Sequence, residues 1–147
     1  MRVRDFPKII QIQTTSHCDA DCSFCPYMRI RRDFPQGQMS SQLFEKIVDE
    51  CSEWNQKTIF VLFLMAEPLC DNNITKRIAY VKRKAPKSLV MLSSNGGRLK
   101  NNQVAVELAN SDADVIAFSL HGRTSEEYHQ VVKKLRFEDV VQGIEQF

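Results

Sequence analysis

Four runs of apolar residues, at 9–12, 58–66, 89–92 and 115–120, recur along the chain. The second contains Ile59-Phe60-Val61-Leu62-Phe63-Leu64-Met65 without polar alternation. A continuous β-branched and aromatic run is the pattern of a strand buried on both faces of a parallel sheet. The segments between the runs carry helical spacing instead. Ser40 or Ser41 can cap a helix that places Leu43, Phe44, Ile47 and Val48 on one face, followed by Cys51 and Trp54. After Asp71, Ile74, Ile78 and Val81 form one stripe, and Pro86 closes it. Residues 101–110 turn Val104, Val106 and Leu108 inward, and Thr124 with Glu127 reads as a capping box opening a helix near Glu126. Residues 137–147 repeat the spacing with Val140, Val141 and Ile144.

The predicted order is β-α four times over, with no linker, repeat or low-complexity segment dividing residues 1–147. Strands alternating with helices imply right-handed crossovers and a parallel sheet, so the fold class is α/β. Ligands of such sheets sit at the carboxyl ends of the strands. Residues of any site should therefore fall just after the apolar runs.

Composition narrows the picture further. A length of 147 residues suits one domain, and a complete (β/α)₈ barrel typically needs ~250. The 20 Lys and Arg against 18 Asp and Glu leave a charge of +2, which offers no global attraction to nucleic acid or an anionic membrane. The longest apolar run, 59–66, is far short of the ~20 residues that span a bilayer. Residues 1–10 carry Arg2, Arg4, Asp5 and Lys8 and have no signal-peptide core. Five cysteines, an odd number without a secretory signal, argue for a reducing cytoplasm and against a disulfide framework.

Three of those cysteines are clustered. The first strand runs through Gln13-Thr14-Thr15-Ser16-His17 into Cys18-Asp19-Ala20-Asp21-Cys22-Ser23-Phe24-Cys25-Pro26. Thiols at i, i+4 and i+7 of one loop can serve a common centre, filling all but one position of a tetrahedral zinc or a cubic iron–sulfur cluster. His17 is too close to Cys18 to share chelation easily, and no later Cys-x-x-Cys or His-x-x-x-His completes a set. Three readings stand beside a cluster: small buried side chains met by chance, a zinc site, and a Cys22–Cys25 redox dithiol.

The spacing Cys-x3-Cys-x2-Cys, with the aromatic Phe24 before the third cysteine, resembles the signature of radical S-adenosylmethionine (radical SAM) enzymes. That resemblance implies that Cys18, Cys22 and Cys25 hold a 4Fe-4S cluster whose fourth iron binds S-adenosylmethionine. It implies reductive cleavage of SAM to a 5′-deoxyadenosyl radical that abstracts hydrogen from a substrate. The ends of the later runs are similar to the family's as well: Met65-Ala66-Glu67-Pro68, Ser93-Ser94-Asn95-Gly96-Gly97 and Ser119-Leu120-His121-Gly122. The resemblance makes Glu67 and Ser119 the leading SAM contacts, with Ser93, Ser94 and Asn95 behind them. Each segment also has a plain reading as a strand stop, a turn or a cap.

Two positions depart from the family pattern. Met65-Ala66 stands where glycine lets backbone approach SAM, and His121 stands where an Asp is usual. Gly37-Gln38-Met39-Ser40 and the helix after it are most similar to members of the SPASM or twitch type, although no cysteine follows Cys70. Cys51 reads as core, Cys70 as packing near the site, and His17, His121 and His129 as surface or capping residues. Arg29, Arg31 and Arg32 read as a solvated cationic stretch, or more sharply as a surface for an acidic substrate or reductant.

The resemblance therefore implies a partial barrel, about four β/α units of the family's (β/α)₆ barrel, cut short on its C-terminal side. Implied partners are a flavodoxin- or ferredoxin-like electron donor and an unknown substrate, a peptide or a small molecule. An uncovered edge on the fourth strand suggests self-association. The competing function is a non-catalytic iron–sulfur or zinc module that keeps the metal and lacks turnover.

Overall fold

The protein is described here from a computed structural model that covers residues 6–54 and 57–147. Arg2, Arg4 and Asp5 of the charged N-terminal stretch lie outside the described residues. The strands are β1 (Ile9–Gln11), β2 (Ile59–Val61), β3 (Leu89–Ser94) and β4 (Val115–Phe118). They form one sheet in the order β1-β2-β3-β4, and every pair is parallel. Helices α1 (Pro26–Ile30), α2 (Ser41–Ser52), α3 (Ile74–Lys84) and α4 (Asn102–Ala109) fill the crossovers, and α5 (Ser125–Val131) and α6 (Phe137–Gln146) follow β4.

The register explains which face is packed. Phe60 stands beside Ile10 and Val90, and Leu92 beside Ile116. Phe60, Val90 and Leu92 meet Phe44 and Val48 of α2, Ile74, Ile78 and Val81 of α3, and Leu108 of α4 in the main core. The opposite face is graded rather than uniformly buried. Val61 at its centre is buried, whereas Ile9 on one edge and Val115 on the other are 57% and 45% exposed. The run 58–66 predicted burial on both faces; on the helix-covered face Phe60, Val90 and Leu92 are fully buried, while Ile10, Ile116 and Phe118 on the outer strands are partly buried.

The strand predicted at 58–66 ends its ladder at Val61. Beyond it, Leu62 N–H still donates to Met91 O, but side chains then replace the ladder. Gln11 Nε2 donates to Phe63 O, and Gln13 Oε1 accepts from Met65 N–H. Helix starts follow the polar signals more closely. Ser40 caps α2 by accepting from Leu43 N–H, and Thr124 caps α5 by accepting from Glu127 N–H. The return bond of the expected box lands one residue early, from Arg123 N–H to the Glu127 carboxylate. Along the predicted faces, Leu43, Val106 and Trp54 are exposed, and Ala105 takes the buried place of Val106. Helix α1 was not predicted. It has five residues with Pro26 in its first turn, so a Pro after a cysteine is its one sequence signal.

A second, smaller core lies behind the cysteine loop. Ala20, Tyr128, Val132 and Val140 are buried together, with Cys18, Cys22, Leu135 and Phe137 packed against them. Gly122 permits this layer to close, because a Cβ there would stand 2.5 Å from the backbone nitrogen of Tyr128.

Candidate active site

All four strands deliver their polar sequels to one edge of the sheet, as parallel topology requires. The cysteine loop leaves β1 and is fixed on both flanks. On one flank Thr15 bridges Gln38, and Ser16 N–H donates to Gly37 O. On the other, Cys22 bridges Val132, while Ser23 N–H donates to Val131 O and Lys133 N–H to Asp21 O. A loop of eight residues carrying three ligand-type side chains is thereby held between the β1 return and the α5–α6 layer.

Cys18, Cys22 and Cys25 are free and partly exposed. Burial pushes the Cys18 thiol up to about 11, and burial followed by the neighbouring Cys25 raises that of Cys22. Among the described residues, no three His, Cys, Asp or Glu side chains converge as a metal-ion site. A 4Fe-4S cluster takes each thiolate on a different iron, so its ligands stand farther apart than those around one zinc ion. Three free thiols on one partly exposed loop fit such a cluster, with one iron left for another ligand.

The remaining predicted residues form two groups. In the first, Glu67 is 3% exposed and its carboxylate is fully engaged within the chain. Oε1 accepts from Leu69 N–H at 2.9 Å and Ser94 Oγ at 2.8 Å, and Oε2 accepts from Asn95 N–H at 2.8 Å. Burial nevertheless pushes its carboxyl up to about 7 against the pull of those donors. Asn95 connects this group to the cysteines: Nδ2 donates to Asp19 Oδ1 at 2.9 Å and lies 4.0 Å from Cys18 Sγ. In the second group, Ser93 Oγ and Ser119 Oγ are 3.2 Å apart and partly exposed. Glu67, Ser94 and Asn95 therefore brace the edge, whereas Ser93 and Ser119 stay partly exposed with only each other as side-chain partner among the described residues.

Three neighbours frame the loop. His121 sets its ring edge-on to Phe24 with centroids 4.9 Å apart, although Phe24 itself remains 58% exposed. Tyr128 is buried against the loop, and its phenol is pushed up to about 12 by burial and then by the Cys22 and Asp19 charges. Cys70 is a fourth thiol near the loop, pushed up to about 12 by burial and then by Asp19 and Glu67. The sequence placed Cys70 near the site and His121 at the end of β4, whereas Tyr128 was missed; its one signal is its position four residues after the capping Thr124.

A family model described as the radical SAM superfamily matches residues 12–147. The chain belongs to that superfamily. Its cofactors are a 4Fe-4S cluster and S-adenosylmethionine (AdoMet). No curated protein matches the sequence significantly. Among solved structures, BtrN in complex with AdoMet and 2-DOIA is similar with a TM-score of 0.69 at 17% identity, covering 94% of this chain and 55% of that one. Native anSMEcpe with bound AdoMet gives 0.68 at 19%, covering 95% and 40%. Methylornithine synthase gives 0.65 at 15%, covering 94% and 40%. This radical SAM chain thus spans about half the length of the structures it resembles, which share its fold. Among the described residues, no helix is long and apolar enough to cross a membrane.

Proposed function

We propose that this chain supplies the cofactor-binding part of a radical SAM enzyme. Cys18, Cys22 and Cys25 would hold the 4Fe-4S cluster, and AdoMet would lie along the carboxyl edge of the sheet. When bound and reduced, the pair supplies a carbon-centred radical from AdoMet that abstracts hydrogen from a substrate. One observation carries the reading: the three thiols share a sheet edge with the Ser93–Ser119 pair, joined to it through the bonded series Asp19, Asn95, Glu67 and Ser94.

The chain's own residues divide the work. Ser93 and Ser119, hydrogen-bonded to each other, are the partly exposed hydroxyls that would meet AdoMet, and exposed Phe24 offers an aromatic face on the cysteine loop. Glu67 acts first as a brace between the β2 and β3 ends. The half-buried Ala66 fills with a methyl group the place where the family carries glycine. A small acidic redox protein of the flavodoxin or ferredoxin type is the electron donor that this chemistry calls for.

Anaerobic reconstitution with iron and sulfide, followed by reduction and AdoMet, tests the proposal. The expected results are a charge-transfer absorbance that Cys18→Ala removes, and release of 5′-deoxyadenosine. Absorbance without 5′-deoxyadenosine would favour the non-catalytic iron–sulfur module, and zinc in place of iron and sulfide would remove the cluster assignment.

A further inference from the structure

The segment after the cysteines, residues 26–36, forms a wall that the reading above does not use. It is anchored firmly. Tyr27 is 5% exposed and donates its hydroxyl to Ser16 O, while Gln36 Nε2 donates to Arg31 O at 2.7 Å and to Phe34 O at 3.2 Å. Tyr27 also reaches Gln36 Oε1. The 3₁₀ turn Arg31–Asp33 is thereby fixed beside the cysteine loop.

A cavity of about 330 Å³ opens there, lined by His17, Cys18, Arg31, Arg32 and Gln36. Arg31 and Arg32 make no ion pair among the described residues, even with Asp33 next in sequence. Cys18 lines this space but none of Glu67, Ser93, Ser94, Asn95 or Ser119 does, so it adjoins the cysteine loop on the side away from those strand-end residues. Two planar guanidinium groups at one mouth suit a carboxylate or phosphate, which each can meet with paired N–H donors. Concavity favours a small anionic group over the flat face of a protein.

Resting on the radical SAM reading, we infer that this cavity is the seat of an anionic group of the substrate. Arg31 and Arg32 hold a carboxylate or phosphate beside Cys18, and Gln36 acts as a positioning residue that fixes the turn. The substrate class is accordingly a molecule carrying at least one such group.

The test follows arginine Nε–H resonances of the anaerobically reconstituted full chain during titration with inorganic phosphate, glutarate or neutral glutaramide. Phosphate or glutarate should give a saturable shift and glutaramide none, and comparing the two anions separates phosphate from carboxylate preference. Arg31→Ala and Arg32→Ala should each weaken binding about tenfold, Arg31→Lys less, and the exposed Arg29→Ala not at all. Thermal melts check that each variant is folded. No saturable shift with either anion, or undiminished affinity in both alanine variants, overturns the inference. If those variants instead slow only cluster reduction by an acidic flavodoxin, the wall is a protein-docking face and the inference fails. Cluster absorbance and AdoMet cleavage are recorded on the same samples. Anion binding without a cluster would remove the substrate assignment, whereas cleavage without anion binding would remove the cavity alone.

Discussion

Asn95 and Asp19 are joined across the sheet edge: the Asn95 amide donates to the Asp19 carboxylate at 2.9 Å, 76 residues away in sequence. The same side chain accepts from Gly97 N–H, and its backbone N–H donates to Glu67. One residue therefore couples the cysteine loop to the ends of β2 and β3.

Asn95→Ala should loosen that coupling. It removes two side-chain hydrogen bonds, a loss on the order of 1–2 kcal/mol. Iron release to a chelator after reconstitution should accelerate by more than the loss of global stability explains. Asn95→Asp keeps the acceptor for Gly97 but sets a carboxylate against Asp19, so it should release iron at least as fast. Equal release rates in all three proteins would show that the loop does not depend on this contact.

Glu67 makes a prediction about pH. Its carboxyl is raised from an ordinary 4.5 to about 7 by burial, so the folded chain binds this proton more tightly than the unfolded chain does. Stability should therefore fall as pH rises from about 4.5 through about 7, with the decline complete above that window. The difference corresponds to about 3 kcal/mol. Glu67→Gln should remove this slope, and it should itself destabilise because an amide N–H₂ must face one of three donors. Urea melts of both proteins from pH 4.5 to 8 measure it, and parallel pH profiles would refute it.

The topology and the three polar strand ends were legible because parallel strands must send their sequels to one edge. The apolar periods also placed α3 well, with Ile74, Ile78 and Val81 all buried. Contacts between distant side chains were not legible. Nothing in the run 58–66 announced that Gln11 and Gln13 would replace its backbone partners. Nothing near Phe24 announced His121. Glu67 looked like a ligand contact from its motif, and the three donors that occupy it come from Leu69, Ser94 and Asn95.

Arg77 is another residue the periodicity passed over. It sits among the apolar positions of α3, where its Nε donates to Asp71 at 2.7 Å with side-chain exposures of 3% and 0%. The guanidinium lies 4.9 Å from the Phe44 ring centroid and also donates to Met39 O, while its Nη1 is buried without a partner. Arg77→Met should cost about 3–5 kcal/mol, since Asp71 would remain buried and unpaired. Adding Asp71→Asn should recover part of that loss. Urea denaturation of the cycle decides it, and additive losses would mean that the pair is not coupled.

The sheet edge at β4 carries the last prediction. Among the described residues β4 pairs with β3 alone, and Val115 is 45% exposed at its start. An uncovered strand edge offers unpaired N–H and C=O groups to a second chain, and an apolar side chain beside them adds to the attraction. The protein should self-associate reversibly across the micromolar range. Val115→Lys places a charge on that edge and should shift the equilibrium toward monomer without lowering the melting temperature appreciably. Sedimentation velocity at several concentrations measures both proteins. A wild-type chain that stays a monodisperse monomer throughout would show that the edge is already satisfied, and association unaffected by Val115→Lys would place the contact elsewhere.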